Sequence, residues 1–232
     1  MYSLPQQVIV LFFLLVYLSL YLSRNRISHG QRLFLRSGIA VFLVVNELAW
    51  HIWNIAAGTW TFQGMLPLHI CSVMVFASAI LLVTKSYRLY EFQYFLGIAA
   101  AAQILFTPDA GMYAVPNFIF FQTFLAHGLI IFTALYMTFV EGFRPKGISL
   151  LKVAVGMNIY MVFVGLINIP LGSNYLFLMQ KPPIPSLLDF LGPWPWYILG
   201  MEAAGAVMCL LLYLPFPVAK YFSQWHPSKS WK

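Results

Sequence analysis

A chain of 232 residues that is 61% hydrophobic, 18% aromatic and 8% charged, with a mean hydropathy of +0.81, lacks the roughly 25% of charged residues carried by a water-soluble domain. That excludes an aqueous globular enzyme and predicts an all-α polytopic membrane protein, a single domain over 1–232 with no room for a separate soluble one. Cys71 and Cys209 are too few for a disulfide framework and no C-x-x-C or His-x-x-x-His pair points to a metal. The formal charge of +7 is first a topology signal, so no cofactor and no nucleic acid is expected.

Seven apolar stretches, at about 5 to 22, 37 to 57, 66 to 84, 89 to 107, 117 to 140, 149 to 169 and 193 to 219, each approach the ~20 residues of a membrane-spanning helix. No basic residue precedes the first and no small-x-small site follows it, so it reads as a retained span rather than a cleaved signal. The next loop carries Arg24, Arg26, Arg32 and Arg36; Lys85 and Arg88 lie in the third connection; Arg144, Lys146 and Lys152 lie at the fifth; Lys220, Lys229 and Lys232 lie in the tail. Alternate connections thus hold every basic residue but Lys181. Because cytoplasmic loops are the basic ones, the N-terminus is expected outside and the C-terminus inside.

Ionisable groups inside a span are costly, which makes them functional candidates. On the second stretch Glu47, His51 and Asn54 are spaced i, i+4, i+7 on one helix face, about 15, 9 and 5 Å below the outer boundary by rise per residue. The third opens Leu66-Pro67-Leu68-His69-Ile70-Cys71-Ser72. Proline suits the first helical position, which puts Cys71 about one turn in, where the dipole stabilises a thiolate. His69, two residues away, points elsewhere, so a base for Cys71 has to come from His51 or His127. The fourth contains Gly97 to Ala102, small residues that permit close helix approach. Gln122 and His127 lie on the fifth, Asn168 on the sixth and Glu202 on the seventh, all in outer halves.

By the same count His127 lies about 15 Å below Asn117 but Cys71 only about 6 Å below Pro67, so for the two to meet the fifth helix has to begin above the membrane, near Pro116. The connection from 170 to 192, rich in proline and glycine and followed by Trp194, Trp196 and Tyr197, reads as a structured interfacial cap, with Lys181 suited to a phosphate headgroup. The same residues also fit plainer roles: Cys71 as a small hydrophobe, the histidines and acids as links between helices.

The motifs Leu66-Pro67-Leu68-His69-Ile70-Cys71, Asn168 to Tyr175, Lys181-Pro182-Pro183 and Leu191-Gly192-Pro193-Trp194-Pro195-Trp196-Tyr197, spread over nearly the whole chain, resemble the YwaF family of bacterial integral membrane proteins, whose animal relative is transmembrane protein 164, a phospholipid acyltransferase. The resemblance implies seven helices and a cysteine-dependent transfer of acyl chains onto lysophospholipid, with the nucleophile at Cys71 and its partner histidine at His127. Glu47 or Glu202 then orients the imidazole. His51, Asn54, His69, Gln122, Asn168, Lys181 and Glu202 form the expected substrate-binding set, for phospholipid or lysophospholipid. A lipid-ester hydrolase using the same site, and a non-enzymatic transporter or lipid-binding protein, are the alternatives.

Overall fold

The computed structural model describes residues 3–106, 117–183 and 187–225; Pro116, Lys229 and Lys232 lie outside them. Among the described residues every regular element is helical: α1 (Leu4–Ser23), α2 (His29–Ala56), α3 (Ile70–Thr84), α4 (Tyr87–Phe92), a π-helical turn (Gln93–Gly97), α5 (Ile98–Phe106), α6 (Phe118–Phe139), α7 (Gly147–Leu171), α8 (Trp196–Tyr213) and α9 (Pro215–Trp225), with 3-10 turns at Tyr175–Phe177 and Leu187–Leu191. Five segments are long and apolar enough to cross a membrane: α1, α2, α6, α7 and Trp196–Tyr221, which runs from α8 into α9.

Burial divides these helices into a centre and a shell. On α6, Phe124, Ile130, Ala134 and Met137 are fully buried, whereas α1, α2, α7 and α8 expose large side chains such as Leu11, Val45, Ile159 and Leu211. A soluble protein does not display apolar faces of that extent; in hydrocarbon they are the expected outer surface of an integral membrane protein.

Close approaches to α6 rest on missing side chains. The Phe13 ring of α1 fills the space beside Gly128, where a Cβ would stand 2.2 Å from it, and the Tyr17 hydroxyl donates to the Gly128 carbonyl at 2.8 Å. In the π-helical turn Gln93 Nε2 donates to the Ile130 carbonyl at 3.1 Å, and a Cβ on Gly97 would meet that nitrogen at 2.7 Å. The small-residue run after Gly97 buries Ala101 completely, as its composition led one to expect.

Two helix starts differ from expectation. α2 begins eight residues before the apolar stretch, because Ser28 caps it by exchanging bonds with Gln31: its N–H donates to Oε1 at 2.8 Å and its Oγ accepts from the Gln31 N–H at 3.4 Å. α3 begins at Ile70 rather than Leu66, since Leu66 to Leu68 form a tight turn closed by the Leu68 N–H on the Leu66 carbonyl at 2.7 Å. Cys71 is therefore the second residue of its helix, not one turn into it.

The basic connections meet at one end of the bundle, where two acids collect them. Glu141 takes Lys85 at 2.9 Å and Arg36 at 3.8 Å, and Arg32 donates to the Val140 carbonyl at 3.2 Å. Glu91, fully buried, accepts from Ser149 at 2.6 Å and from Lys152 at 2.9 Å. Burial opposes the charge on Glu141, yet the Lys85 hydrogen bond and the nearby Lys85 and Arg36 charges outweigh it and hold its carboxyl below the ordinary value of 4.5. A depressed carboxyl pKa contributes stability that is present above the unfolded value and lost as pH falls through the folded one. Acidification from neutral to well below pH 4.5 should therefore lower the melting temperature of the purified protein more steeply than that of Glu141→Gln. Gly128→Leu, which drives a side chain into the Phe13 ring, should cost about 1–3 kcal/mol, read as a lower melting temperature at neutral pH.

Candidate functional site

The end of the bundle opposite the basic connections is organised by residues 57–69, which link α2 to α3. Asn54 shapes their first turn. Its carbonyl accepts the N–H groups of Thr59 and Trp60 at 3.0 and 3.2 Å, its Oδ1 accepts the Thr59 hydroxyl at 3.0 Å, and its Nδ2 donates to the Trp50 carbonyl at 2.8 Å. With every polar atom so engaged, Asn54 turns the chain back over α2 and brings Trp60 onto His51. The Trp60 Nε1–H donates to His51 Nδ1 at 3.0 Å. An indole N–H only donates, so the neutral His51 ring carries its proton on Nε2, the atom 3.9 Å from Glu47 Oε1.

Glu47 is buried and faces the start of α3. Ser72 and Cys71, in the first turn of α3, both lie within electrostatic range of its carboxyl group. That contact fixes depth: α3 starts level with Glu47, nine residues or about 14 Å below the end of α2. The segment before it descends into the bundle because tyrosines hold it. Tyr175, fully buried, donates its hydroxyl to the Phe62 carbonyl at 2.6 Å and accepts the Leu66 N–H at 2.8 Å; Tyr160 donates to the Leu68 carbonyl at 2.8 Å. Non-helical backbone is tolerated at such depth where protein satisfies its polar groups. The first backbone bond of α3 runs from the Val73 N–H to the His69 carbonyl at 3.1 Å, so the N–H groups of Ile70, Cys71 and Ser72 stand at a free helix N-terminus beside the thiol.

His127 takes the opposite tautomer to His51. Its Nδ1 lies 2.7 Å from the Thr123 carbonyl, which can only accept, so Nδ1 bears the hydrogen and Nε2 a lone pair. The partner of Nδ1 is thus this backbone carbonyl and not Glu47 or Glu202. Register sets the depth of the ring. Asn46 Nδ2 donates to the Gln122 carbonyl at 3.1 Å and Trp53 stacks on Phe118 with centroids 4.8 Å apart, so α2 and α6 run antiparallel with Asn46 opposite Gln122. The His127 ring reaches back to the Thr123 carbonyl, one residue beyond the Gln122 carbonyl that Asn46 holds. α3 starts deeper than Pro67 implied, which narrows the difference in depth expected between Cys71 and His127. His127 makes no hydrogen bond or ion pair with Cys71 or Glu47 among the described residues.

The remaining candidates are spread around this centre. His69 caps α3, accepts the Leu176 N–H on Nδ1 at 3.4 Å and meets the Tyr175 ring edge-on. Asn168 binds the Tyr175 carbonyl and N–H at 3.0 and 2.9 Å and the Ser173 hydroxyl at 2.8 Å. It thereby holds a turn in which Leu176 and Phe177 adopt left-handed φ of 59° and 54°, a conformation that costs roughly 1–2 kcal/mol per residue outside glycine. Gln122 Oε1 accepts from Thr123 at 3.4 Å. Lys181 reaches the Asp189 carbonyl at 3.5 Å and lies over the Tyr197 ring, in a cap that Trp194 closes by donating to the Leu178 carbonyl at 3.0 Å. Glu202 is half-buried on α8 and, among the described residues, makes no hydrogen bond or ion pair with this network. A groove of 670 Å³ between α1 and α2 carries Arg26 at the basic end and includes none of these residues.

The family model that matches is that of the TMEM164 family, over residues 1–213. The chain belongs to the TMEM164 family. No curated protein and no solved structure matches it. The kinship with transmembrane protein 164 expected from the Leu66–Cys71 and Leu191–Tyr197 motifs is thereby shown, and this TMEM164-family chain adds residues that sequence reasoning missed. Asn46 carried a readable signal, an amide in mid-span next to Glu47. Trp60, Ser72, Tyr160 and Tyr175 carried none, since each acts through a partner far away in sequence or across a turn. Tyr175→Phe deletes the hydroxyl that holds the Phe62 carbonyl and the Leu66 N–H; losing those two part-buried hydrogen bonds should cost about 1 kcal/mol each. Hydrogen exchange of amides 61–68 should accelerate in that variant while the amides of α6 keep their protection.

Proposed function

We propose that this chain is a membrane-embedded acyltransferase that moves a fatty acyl chain between phospholipids through Cys71. The observation that carries the reading is a thiol at the free N-terminus of α3, within electrostatic range of a buried carboxyl group, in a chain of the TMEM164 family. Seven spans cross the bilayer: α1, α2, α3 with its descending lead-in, the α4 to α5 run, α6, α7, and α8 with α9. The basic end faces the cytoplasm, so Cys71 opens to the outer leaflet, where the donor ester and the lysophospholipid acceptor reside.

In the acylation step His127 Nε2 takes the thiol proton and Sγ attacks the ester carbonyl of the donor lipid. The N–H groups of Ile70, Cys71 and Ser72 meet the oxyanion, the service that unpaired backbone donors perform in acyl transfer. Collapse breaks the ester C–O bond, the departing lysolipid oxygen takes the proton from His127, and a thioester remains on Cys71. The hydroxyl of an acceptor lysolipid then attacks the thioester, restoring the thiol. The apolar surroundings disfavour water as the competing acceptor.

With a hydrolysis-resistant reporter of thioesters, an acyl-chain probe should label Cys71 in the purified protein, and Cys71→Ala should abolish the label. His127→Ala should slow labelling on the order of 100-fold without shifting the melting temperature by more than a few degrees. Label that persists in Cys71→Ala overturns the nucleophile; undiminished labelling in His127→Ala removes the imidazole from the reaction.

A further inference from the structure

The acyl-transfer reading leaves one arrangement without a task. His51 and Trp60 are built as a unit beside Glu47: the indole N–H takes His51 Nδ1, which leaves Nε2–H as the ring's free donor, 3.9 Å from Glu47 Oε1, and the loop that carries Trp60 is itself fixed by Asn54. His51 cannot serve Cys71 as a base, because its only lone pair is already occupied by Trp60. Its orientation fits an imidazole that steadies a carboxylate.

A carboxylate is nevertheless an awkward neighbour for a thiol that must ionise. Like charges at close range disfavour each other, so an ionised Glu47 opposes the thiolate in the free protein. Once Cys71 carries an acyl group, that conflict ends: a thioester sulfur is neutral, and the next nucleophile is the acceptor hydroxyl, which must lose a proton. Glu47 then lies within electrostatic range of the acylated Cys71, with Ser72 of α3 in the same range.

We propose that Glu47, positioned by His51 and Trp60, is the base for the second half-reaction, taking the proton of the acceptor lysolipid hydroxyl as that oxygen attacks the Cys71 thioester. The inference rests on the acyl-transfer reading and divides its labour: His127 serves the thiol, Glu47 serves the acceptor. The step balances. The new ester C–O bond forms as the C–S bond breaks, the hydroxyl proton passes to the Glu47 carboxylate, and the departing thiolate recovers a proton from the carboxylic acid, so both groups return to their starting states. Glu47 is the catalytic residue; His51 and Trp60 are positioning residues, holding the carboxylate toward the acceptor and balancing its charge.

The test separates the half-reactions in the full-length protein in phospholipid nanodiscs. A labelled diacyl phospholipid forms the hydroxylamine-sensitive adduct, and a chase with lysophosphatidylcholine discharges it. In Glu47→Gln the adduct should form within about threefold of the wild-type rate and then accumulate, with transfer slowed on the order of 100-fold, the typical worth of a general base. Glu47→Asp, which keeps a carboxylate, should recover part of the transfer rate. Trp60→Phe, which keeps the ring and deletes the N–H, should slow transfer about tenfold, the kinetic equivalent of one hydrogen bond, in kcat rather than in KM for the acceptor. Formation of the adduct reports that each variant is folded, so a silent chase cannot be blamed on misfolding. Equal losses in both half-reactions, or a wild-type chase rate in Glu47→Gln or Trp60→Phe, overturn the assignment while leaving a cysteine acyltransferase standing. A wild-type protein that forms no hydroxylamine-sensitive adduct overturns that reading, and the role of Glu47 with it.

Discussion

A carboxyl group in the middle of an apolar helix is expensive, and the end of this protein opposite its basic connections is arranged around satisfying one. Glu47 lies on α2, His51 is one turn above it, and Ser72 and Cys71 face it from α3. That contact obliges α3 to begin deep in the bundle, and residues 57–69 therefore to run down toward it. A descending segment without helical hydrogen bonds needs partners of its own. Tyr160 and Tyr175 supply them from α7 and the turn beyond it, and Asn168 holds that turn in a strained conformation. The chain of dependence runs from one buried carboxyl group, through the start of one helix, to the tyrosines of another and of the turn beyond it.

Much of the architecture was legible in the sequence because hydrocarbon imposes simple rules. Charge alternation between apolar stretches is a local signal, and the basic connections do gather at one end, tied by Glu141 and Glu91. The small residues after Gly97 and the proline-rich cap before Trp196 were likewise readable from composition. Helix starts were not. Arg32 and Arg36 interrupt the hydropathy of α2 without interrupting its helix, since their charges find partners at the end of the bundle. Pro67 was compatible with a helix start, but its neighbours are held in a turn by residues about a hundred positions away.

The candidate site was partly readable for the same reason. Glu47, His51, Cys71 and His127 each break the apolar pattern, so composition alone singles them out. Their relations depend on depth and tautomer, which no spacing encodes. His51 and His127 are similar as letters, yet Trp60 fixes the first as a donor toward Glu47, and the Thr123 carbonyl fixes the second with a lone pair on Nε2. Asn54 and Asn168, read as substrate contacts, have their polar atoms engaged in local turns, and His69 uses Nδ1 on the Leu176 N–H. Polarity in a span marks importance; which groups hold the fold and which remain available for chemistry emerges only when each hydrogen bond is followed to its partner.

The account turns on Cys71 and His127 sharing one pocket, and cross-linking tests that most directly. In a Cys209→Ala background, His127→Cys should become bridged to Cys71 by a short bifunctional methanethiosulfonate, as should Glu47→Cys, whose proximity to Cys71 serves as the reference. Bridging in both variants is the predicted result. Efficient bridging from position 47 with none from position 127 would contradict the pairing of thiol and imidazole on which the acyl chemistry depends.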